Sequence, residues 1–326
     1  MEKSEYSKRE LGAYYTELFN PFVASNVFQK WIKDNKLSKA SVVEPFAGNN
    51  SIIKFLHEMG IASDYQSYDI KPSDAGVKKR DSILDYPEGF DLCVTNPPWF
   101  YKSSASRRNA YFPETNYDNI YKLCLEKALS HNKFVAMLLP ASFTSIKDHN
   151  LLDRLDINIL INKPLFADTE NPVCLALFGD KLNKNPMFYN DDDEIGDYQT
   201  LLNYMPRCSS KQKYEIKFND PKGKLGLRAI DNNKEASIRF CRGEELEDYS
   251  IKESSRSITR INGEFDITDD FLRRVNEQIN LMREKTADVF LTPFKGLRAD
   301  GKYRRRMNYF IARDILASLD ERHLFA

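Results

Sequence analysis

Residues 94–102 read VTNPPWFYK. An apolar run ends there in the amide of Asn96, a rigid Pro97–Pro98 pair and the indole of Trp99. The Asn96 side-chain oxygen and the Pro97 carbonyl are both acceptors, and the two prolines restrict the backbone that aims them. Two fixed acceptors suit one target, an exocyclic amino group with two N–H donors. Trp99 would then stack on the ring that carries that group. The other reading is an Asn-Pro turn with a packed tryptophan. Asp69 ends a strand-like segment roughly 20 residues after a glycine turn, where a carboxylate can accept both hydrogen bonds from a ribose diol. Aspartates also cap helices and occupy turns, so Asp69 alone leaves both readings open. The turn itself, EPFAGNN, has one glycine, Gly48, and no GxGxxG, which argues against a pyrophosphate-binding loop and a dinucleotide.

These residues need elements to hold them. ASVVEPFAG, DYQSYDIKP, FDLCVTNPP, KFVAMLLPASF and PVCLALFGD read as strands. Helical spacing predicts helices in NPFVASNVFQKWIKDN, in NNSIIKFLHEMG closed by Gly60, and in NYDNIYKLCLEKALSH with Asn116 or Asp118 near its start. Strands alternating with helices imply an α/β fold with a doubly wound, mostly parallel sheet. In such a sheet ligands bind beyond the carboxyl ends of the strands. Glu44, Asp69, Asn96 and Phe143 all follow strand ends, and Asp81 follows a short basic segment. The stretch KLNKNPMFYNDDDEIGDYQ lacks apolar periodicity and reads as a linker. A catalytic and cofactor-binding domain is expected over 1–185 and a recognition domain over 200–326. The second contains a helix in ITDDFLRRVNEQINLMREK, with Thr268 as its candidate cap, and a final helix in YFIARDILASL.

The chain has 326 residues, 41% of them hydrophobic and 29% charged, which suits a globular protein with a sizeable core. It has no apolar run long enough to cross a membrane and no signal peptide, so a cytoplasmic location is expected. Five cysteines are scattered without a CxxC pair, which points away from zinc and disulfides, and Cys93, Cys124 and Cys174 sit in apolar segments. Net charge is zero overall but runs to −5 through residue 204 and +5 beyond it. A basic second part suggests an acidic partner. Its candidate contacts are Arg256, Arg260, Lys295, Arg298, Lys302, Arg304, Arg305 and Arg306, on segments rich in arginine and glycine. A solvated basic face is the plainer reading of any one of them.

The colinear series GAYYTE, VVEPFAGNNS, YDIKP, RDS, FDLCVTNPPW, VAMLLPASF and LFADTENPVCLALF resembles the gamma group of amino-methyltransferases over about residues 11–180. That resemblance implies the Rossmann-like fold of S-adenosylmethionine-dependent methyltransferases and transfer of a methyl group to adenine N6 in DNA. It implies S-adenosylmethionine as cofactor, no metal, and double-stranded DNA as partner. It also implies a possible restriction endonuclease in the same system. Tyr15 and Thr16 would then close over the methionine end of the cofactor. Glu44, Phe46, Ala47 and Gly48 would form the cofactor loop, and Asp69 with Ile70 would meet the ribose. Asp81 and Ser82 would meet the cofactor's adenine, and Asn96, Pro97, Pro98 and Trp99 would form the catalytic tetrad, with Asn96 also beside the cofactor. Phe166 would pack on the other face of the extruded base.

Two features depart from the family pattern. Asn49 and Asn50 stand where a second small residue is common, and Trp99 stands where tyrosine or phenylalanine is commoner. A buried base must leave the stack before such chemistry, so base flipping is implied. Rival readings are an RNA adenine-N6 methyltransferase, a protein glutamine N5-methyltransferase, and a cofactor-binding regulator without catalysis. Cytosine N4 is a further acceptor of the same kind, although family members of that type more often carry serine in place of Asn96.

Overall fold

In the computed structural model, residues 20–109, 111–145, 149–163, 165, 171–206 and 215–323 are described. The chain divides into two compact units, residues 1–194 and 195–326.

The first unit opens with α1 (Pro21–Ala24) and α2 (Asn26–Asp34), which the sequence reads as one helix. They part at Ser25, whose backbone is extended and whose hydroxyl accepts from the Phe28 amide at 3.2 Å to cap α2. Next come β1 (Ser41–Glu44), α3 (Ser51–Glu58), β2 (Asp64–Asp69), β3 (Lys78–Lys79), β4 (Leu92–Thr95) and α4 (Lys102–Arg108). They are followed by α5 (Ile120–His131), β5 (Phe134–Pro140), β6 (Leu155–Ile161), β7 (Val173–Phe178), β8 (Met187–Asn190) and β9 (Asp193–Asp197), which runs past the boundary at residue 194. The strands form one sheet in the order β3-β2-β1-β4-β5-β7-β6-β8-β9. β1, β2, β3, β4 and β5 run parallel, and so do β6 and β8, while β7 lies antiparallel between β5 and β6. The fold is thus the expected α/β class with a doubly wound, mostly parallel sheet. β5 and β7 are fully buried through their centres, which is why their sequences are continuous apolar runs.

Three local features differ from the sequence reading. The cap of α5 is Asn119, whose oxygen accepts from the Tyr121 amide at 3.3 Å, rather than Asn116 or Asp118. β6 was not expected, because Asp156 and Asn158 interrupt its apolar pattern. The stretch read as a linker forms β8 and β9, whose half-exposed faces leave no run of apolar residues.

The second unit holds α6 (Tyr198–Leu202) and a four-stranded sheet of β10 (Lys217–Phe218), β11 (Leu225–Arg228), β12 (Arg239–Arg242) and β13 (Ile258–Asn262). Their order is β10-β13-β11-β12 and every pairing is antiparallel. α7 (Asp269–Thr286), a hairpin of β14 (Thr292–Leu297) and β15 (Tyr303–Arg306), and α8 (Tyr309–His323) complete it. Thr268 caps α7 as expected, accepting from the Phe271 amide at 3.1 Å. The core joins Leu227 and Phe240 of the sheet to Val275 and Ile279 of α7 and Ile315 of α8. Among the described residues no helix is long and apolar enough to cross a membrane.

Candidate functional site

The parallel register brings the carboxyl ends of β1, β2, β4 and β5 to one edge of the sheet. Glu44 lies opposite Ser67 near the end of β2, and Thr95 opposite Met137 of β5. β1 has β2 on one side and β4 on the other, so the winding reverses between β1 and β4. That switch point is where an open α/β sheet leaves a crevice. Glu44, Gly48, Asp69, Asp81 and the Asn96–Trp99 segment all follow strand ends on this edge.

The loop after β1 is tied to β2 by the Gly48 and Ala47 amides. Gly48 donates its amide to Asp69 Oδ2 at 2.8 Å, and Lys71 donates to Asp69 Oδ1 at 2.7 Å. The Ala47 amide bonds the Tyr68 carbonyl at 2.8 Å. Asp69 is therefore held by one backbone donor on each oxygen, which leaves lone pairs for further hydroxyl donors. Gly48 has φ +51°, a left-handed conformation suited to glycine. Asn50 has φ +63° and takes the same region, which asparagine tolerates better than other residues with side chains. Its side-chain oxygen accepts the buried Ser67 hydroxyl at 2.7 Å. The departure at Asn50 thus preserves the backbone that a glycine would supply and adds a lock onto β2. Composition alone hid that role; the signal was an asparagine where a left-handed residue was wanted.

Glu44 is buried. Burial pushes its carboxyl well above the ordinary range; a hydrogen bond from the Ile53 backbone opposes this, and the negative charge of Asp69 adds to it. Among the described residues, Glu44 Oε2, Ser82 Oγ and Thr95 Oγ1 are buried without a hydrogen-bond partner. Such atoms are costly unless something else satisfies them. Their presence along this edge fits a polar, nucleoside-like group bound there. Thr95 was not singled out by sequence, because a threonine ending a buried strand looks like core. Asp81 spends Oδ1 on a turn, accepting the Ile83 and Leu84 amides at 3.0 and 3.3 Å. Of the other loop residues, Ala47 is buried, Phe46 half-buried and Ile70 exposed.

Asn96 is half-buried and its Oδ1 is shielded from water. Pro97 and Trp99 are buried, Trp99 being only 8% exposed and part of the hydrophobic core, while Pro98 is half-buried. No peptide bond here is cis. The segment is clamped from behind. Phe100 donates its amide to Asn119 Oδ1 at 3.1 Å, and the Ile120 amide bonds the Phe100 carbonyl at 3.0 Å. Tyr15, Thr16 and Phe166 lie outside the described residues.

The basic residues of the second unit fall into two groups. Arg298 and Arg305 are 7% and 5% exposed, drawn inside around Asp231, which is fully buried. Asp231 accepts from Arg298 Nη1 at 3.1 Å, from Arg283 at 2.7 and 2.8 Å, and from the Arg305 amide at 3.0 Å. Arg298 also pairs with Asp300 at 2.7 Å. The Arg298 guanidinium therefore holds the fold together, and that of Arg305 is buried with Asp288 at 3.9 Å. Sequence reasoning could not see this, because Asp231 is 67 and 74 positions away from them. Arg304 is half-buried, bonding the Asp231 carbonyl and lying over the Phe294 ring. Arg260 donates to the Gly223 carbonyl at 2.9 Å, and Arg306 is half-buried. Arg256, Lys295 and Lys302 are exposed.

No protein-family model and no curated protein matches this sequence. Solved structures do resemble it. One, described as a putative class I S-adenosylmethionine-dependent methyltransferase of Listeria monocytogenes, is similar at 12% identity and TM-score 0.39 over 51% of this chain and 64% of that one. Another is the methyltransferase subunit of a type I restriction-modification system from Streptococcus thermophilus, at 15% identity and TM-score 0.40 over 54% and 47%. A third is the M protein of the type I restriction enzyme EcoKI, at 12% identity and TM-score 0.37 over 85% and 73%. This chain spans less than two thirds of the first two. Its structural neighbours thus include class I S-adenosylmethionine-dependent methyltransferases and type I modification subunits.

Proposed function

We propose that this protein transfers a methyl group from S-adenosylmethionine to adenine N6 of an extruded base in duplex DNA. The observation that carries this reading is the Asn96–Pro97 acceptor pair, which ends β4 at the switch point beside β1. The Gly48 loop follows the adjacent strand β1, and Asp69 ends β2 beyond it. Asp69 would hold the ribose, Gly48 would allow close approach of the nucleoside, and Glu44 and Ser82 would satisfy polar atoms of the cofactor. When bound, S-adenosylmethionine supplies an electrophilic methyl group.

Adenine N6 is a poor nucleophile because its lone pair is delocalised into the ring. Acceptance of both N–H bonds by Asn96 Oδ1 and the Pro97 carbonyl draws the nitrogen towards pyramidal geometry and frees that pair. The clamp on Phe100 keeps both acceptors fixed before the base arrives, so the contribution is preorganisation. The packed Trp99 forms a rigid floor against which the ring is pressed. In the second unit the exposed Arg256, Lys295 and Lys302 carry the contact to DNA phosphates, and a cognate endonuclease is compatible with this reading.

Incubation with labelled S-adenosylmethionine and plasmid DNA, structured RNA or protein tests the assignment directly. Label in N6-methyladenine of the DNA is expected. Label confined to RNA, to glutamine or to cytosine N4 replaces the substrate, and no transfer to any of them refutes the enzyme reading.

A further inference from the structure

Of the three arginines that close the β14–β15 hairpin, two are spent within the fold. Arg304 bonds the Asp231 carbonyl and lies over the Phe294 ring, and Arg305 is buried. Arg306 is half-buried, and its charged neighbour is another arginine, Arg256. The backbone brings the two together. Ala229, just past β11, donates its amide to the Ser257 carbonyl at 2.7 Å and accepts the Met307 amide at 2.8 Å, and Ile230 bridges Arg306. The loop that carries Arg256 is pinned. The Asn219 side chain donates to the Glu253 and Ser255 carbonyls at 2.7 and 3.1 Å, and the Tyr309 hydroxyl donates to the Ser255 carbonyl at 2.8 Å. Among the described residues no hydrogen bond or ion pair holds either guanidinium. The loop's own acid, Glu253, pairs with neither, and the hairpin's, Asp300, is taken by Arg298 at 2.7 Å. Burial, and then the positive charge of Arg256, hold the Arg306 guanidinium below its ordinary range, with Tyr309 opposing.

Two like charges set close on a braced backbone repel, so the fold gains nothing from pairing them. An anion between them reverses the sign. Phosphate suits the pair, because each guanidinium presents a planar fork of N–H donors that matches phosphate oxygens. Ser254, Ser255, Ser257 and Asn308 flank the two arginines with the hydroxyl and amide donors that phosphates also accept. Lys252 on the same loop, with Lys295 and Lys302 on the same hairpin, is exposed and extends the charge beyond one ion, which fits a polyanion. We propose that Arg256 and Arg306 clamp a single backbone phosphate of DNA between them. The choice of polyanion rests on the methyltransferase reading. The clamp deepens that reading, because it makes one phosphate a fixed register point for the second unit on the duplex.

Fluorescence anisotropy of the full chain with labelled duplex DNA over a range of salt, without cofactor, tests it together with thermal melts. Arg306→Gln keeps the packing stem and drops the charge. It should weaken binding about ten-fold, equally for unrelated sequences, and lower the salt slope by about 1. Arg256→Gln should do the same. The double variant should again lower the slope by about 1 and not 2, because the phosphate is shared. Free of DNA, Arg306→Gln should melt about 1–2 °C above wild type in low salt, from loss of the like-charge contact, and the gain should vanish in high salt. A lowered melting temperature makes Arg306 structural, and unmoved binding makes it merely solvated; either overturns the proposal. So does a slope loss of about 2 in the double variant, or tighter binding of an RNA hairpin than of the duplex. Stabilisation by inorganic phosphate at constant ionic strength, with duplex binding unmoved by the variants, makes the pair a free-anion site and overturns the DNA assignment. Binding is read without turnover. Absent methyl transfer with these slope changes intact therefore removes the methyltransferase reading alone, and methyl transfer with binding indifferent to the variants removes the clamp alone.

Discussion

Replacement of Asp231 by alanine should unfold much of the second unit. Its carboxylate takes donors from Arg283 Nη1 and Nη2, Arg298 Nη1 and the amides of Ser237, Ile238 and Arg305, at 2.7 to 3.2 Å. Removal takes away the anion shared by two buried guanidinium groups. Asp288, which holds Arg283 at 2.8 Å, and Asp300, which holds Arg298 at 2.7 Å, compensate in part. Breaking a buried pair on one side costs about 3–5 kcal/mol, and three abandoned backbone amides add to that. The loss is then a large share of the roughly 5–15 kcal/mol that holds a domain folded. Asparagine is no rescue, since its amide would point an N–H at a donor. Urea unfolding followed by circular dichroism measures the change, and hydrogen exchange should localise it to β11, β14 and β15. The pH dependence carries a sign. Burial raises the Asp231 carboxyl, but the bonds and charge of Arg283, with the Ser237 and Arg305 amides, outweigh it and hold the group below the usual range. Its contribution is thus in place above the unfolded carboxyl value and is lost as pH falls through the lower folded one. The gap between wild type and variant should narrow in acid. A variant within about 1 kcal/mol of wild type at neutral pH, a shift typical of an ordinary substitution, would refute the structural role given to Arg298 and Arg305.

Four further outcomes follow from the candidate site. Asn96→Ala should abolish methyl transfer while leaving calorimetric affinity for S-adenosylmethionine intact, and normal turnover would remove the acceptor role. Asn50→Ala should destabilise by about 2 kcal/mol, combining a strained left-handed backbone with an orphaned Ser67 hydroxyl, while Asn50→Gly should lose only about 1 kcal/mol; equal melting temperatures would contradict this. The raised Glu44 carboxyl makes wild-type stability fall as pH climbs from the unfolded carboxyl value to the folded one, because only the folded state keeps the proton there; Glu44→Gln should lack that slope in pH-dependent melts. Lys295→Ala/Lys302→Ala should lower the salt slope of DNA binding by about 2, whereas an unchanged slope would move DNA contact off the β14–β15 hairpin.

The strands β1 and β4 of the candidate site were legible because each is a short apolar run stopped by a distinctive polar residue, Glu44 and Asn96, while β2, polar along its length, was marked by its aromatic residues and the proline after it. The edge of the sheet was not. β8 and β9 are half-exposed, so their polar faces imitate a linker, and β6 carries Asp156 and Asn158 within its span. The Thr268 cap was readable because a capping side chain lies next to the run it starts, yet Asn119 was passed over for neighbours of the same type. Arg298 and Arg305 show the limit most plainly. An arginine-rich segment looks the same whether its charge faces water or a buried aspartate far away in the chain.

Asn119 has a consequence for how the site moves. One side-chain oxygen accepts both the Phe100 amide, just past the acceptor pair, and the Tyr121 amide in the first turn of α5. The loop and the helix are therefore joined through this one side chain as well as through the Ile120–Phe100 and Lys102–Asp118 backbone bonds. Displacing the Trp99 segment should also fray the helix start, so the Phe100 and Tyr121 amides should open to solvent together, as one event with one free energy. Under the proposed function, adjustment to different ligands would then fall to the walls of the crevice, while the Trp99 segment would stay fixed against the ring.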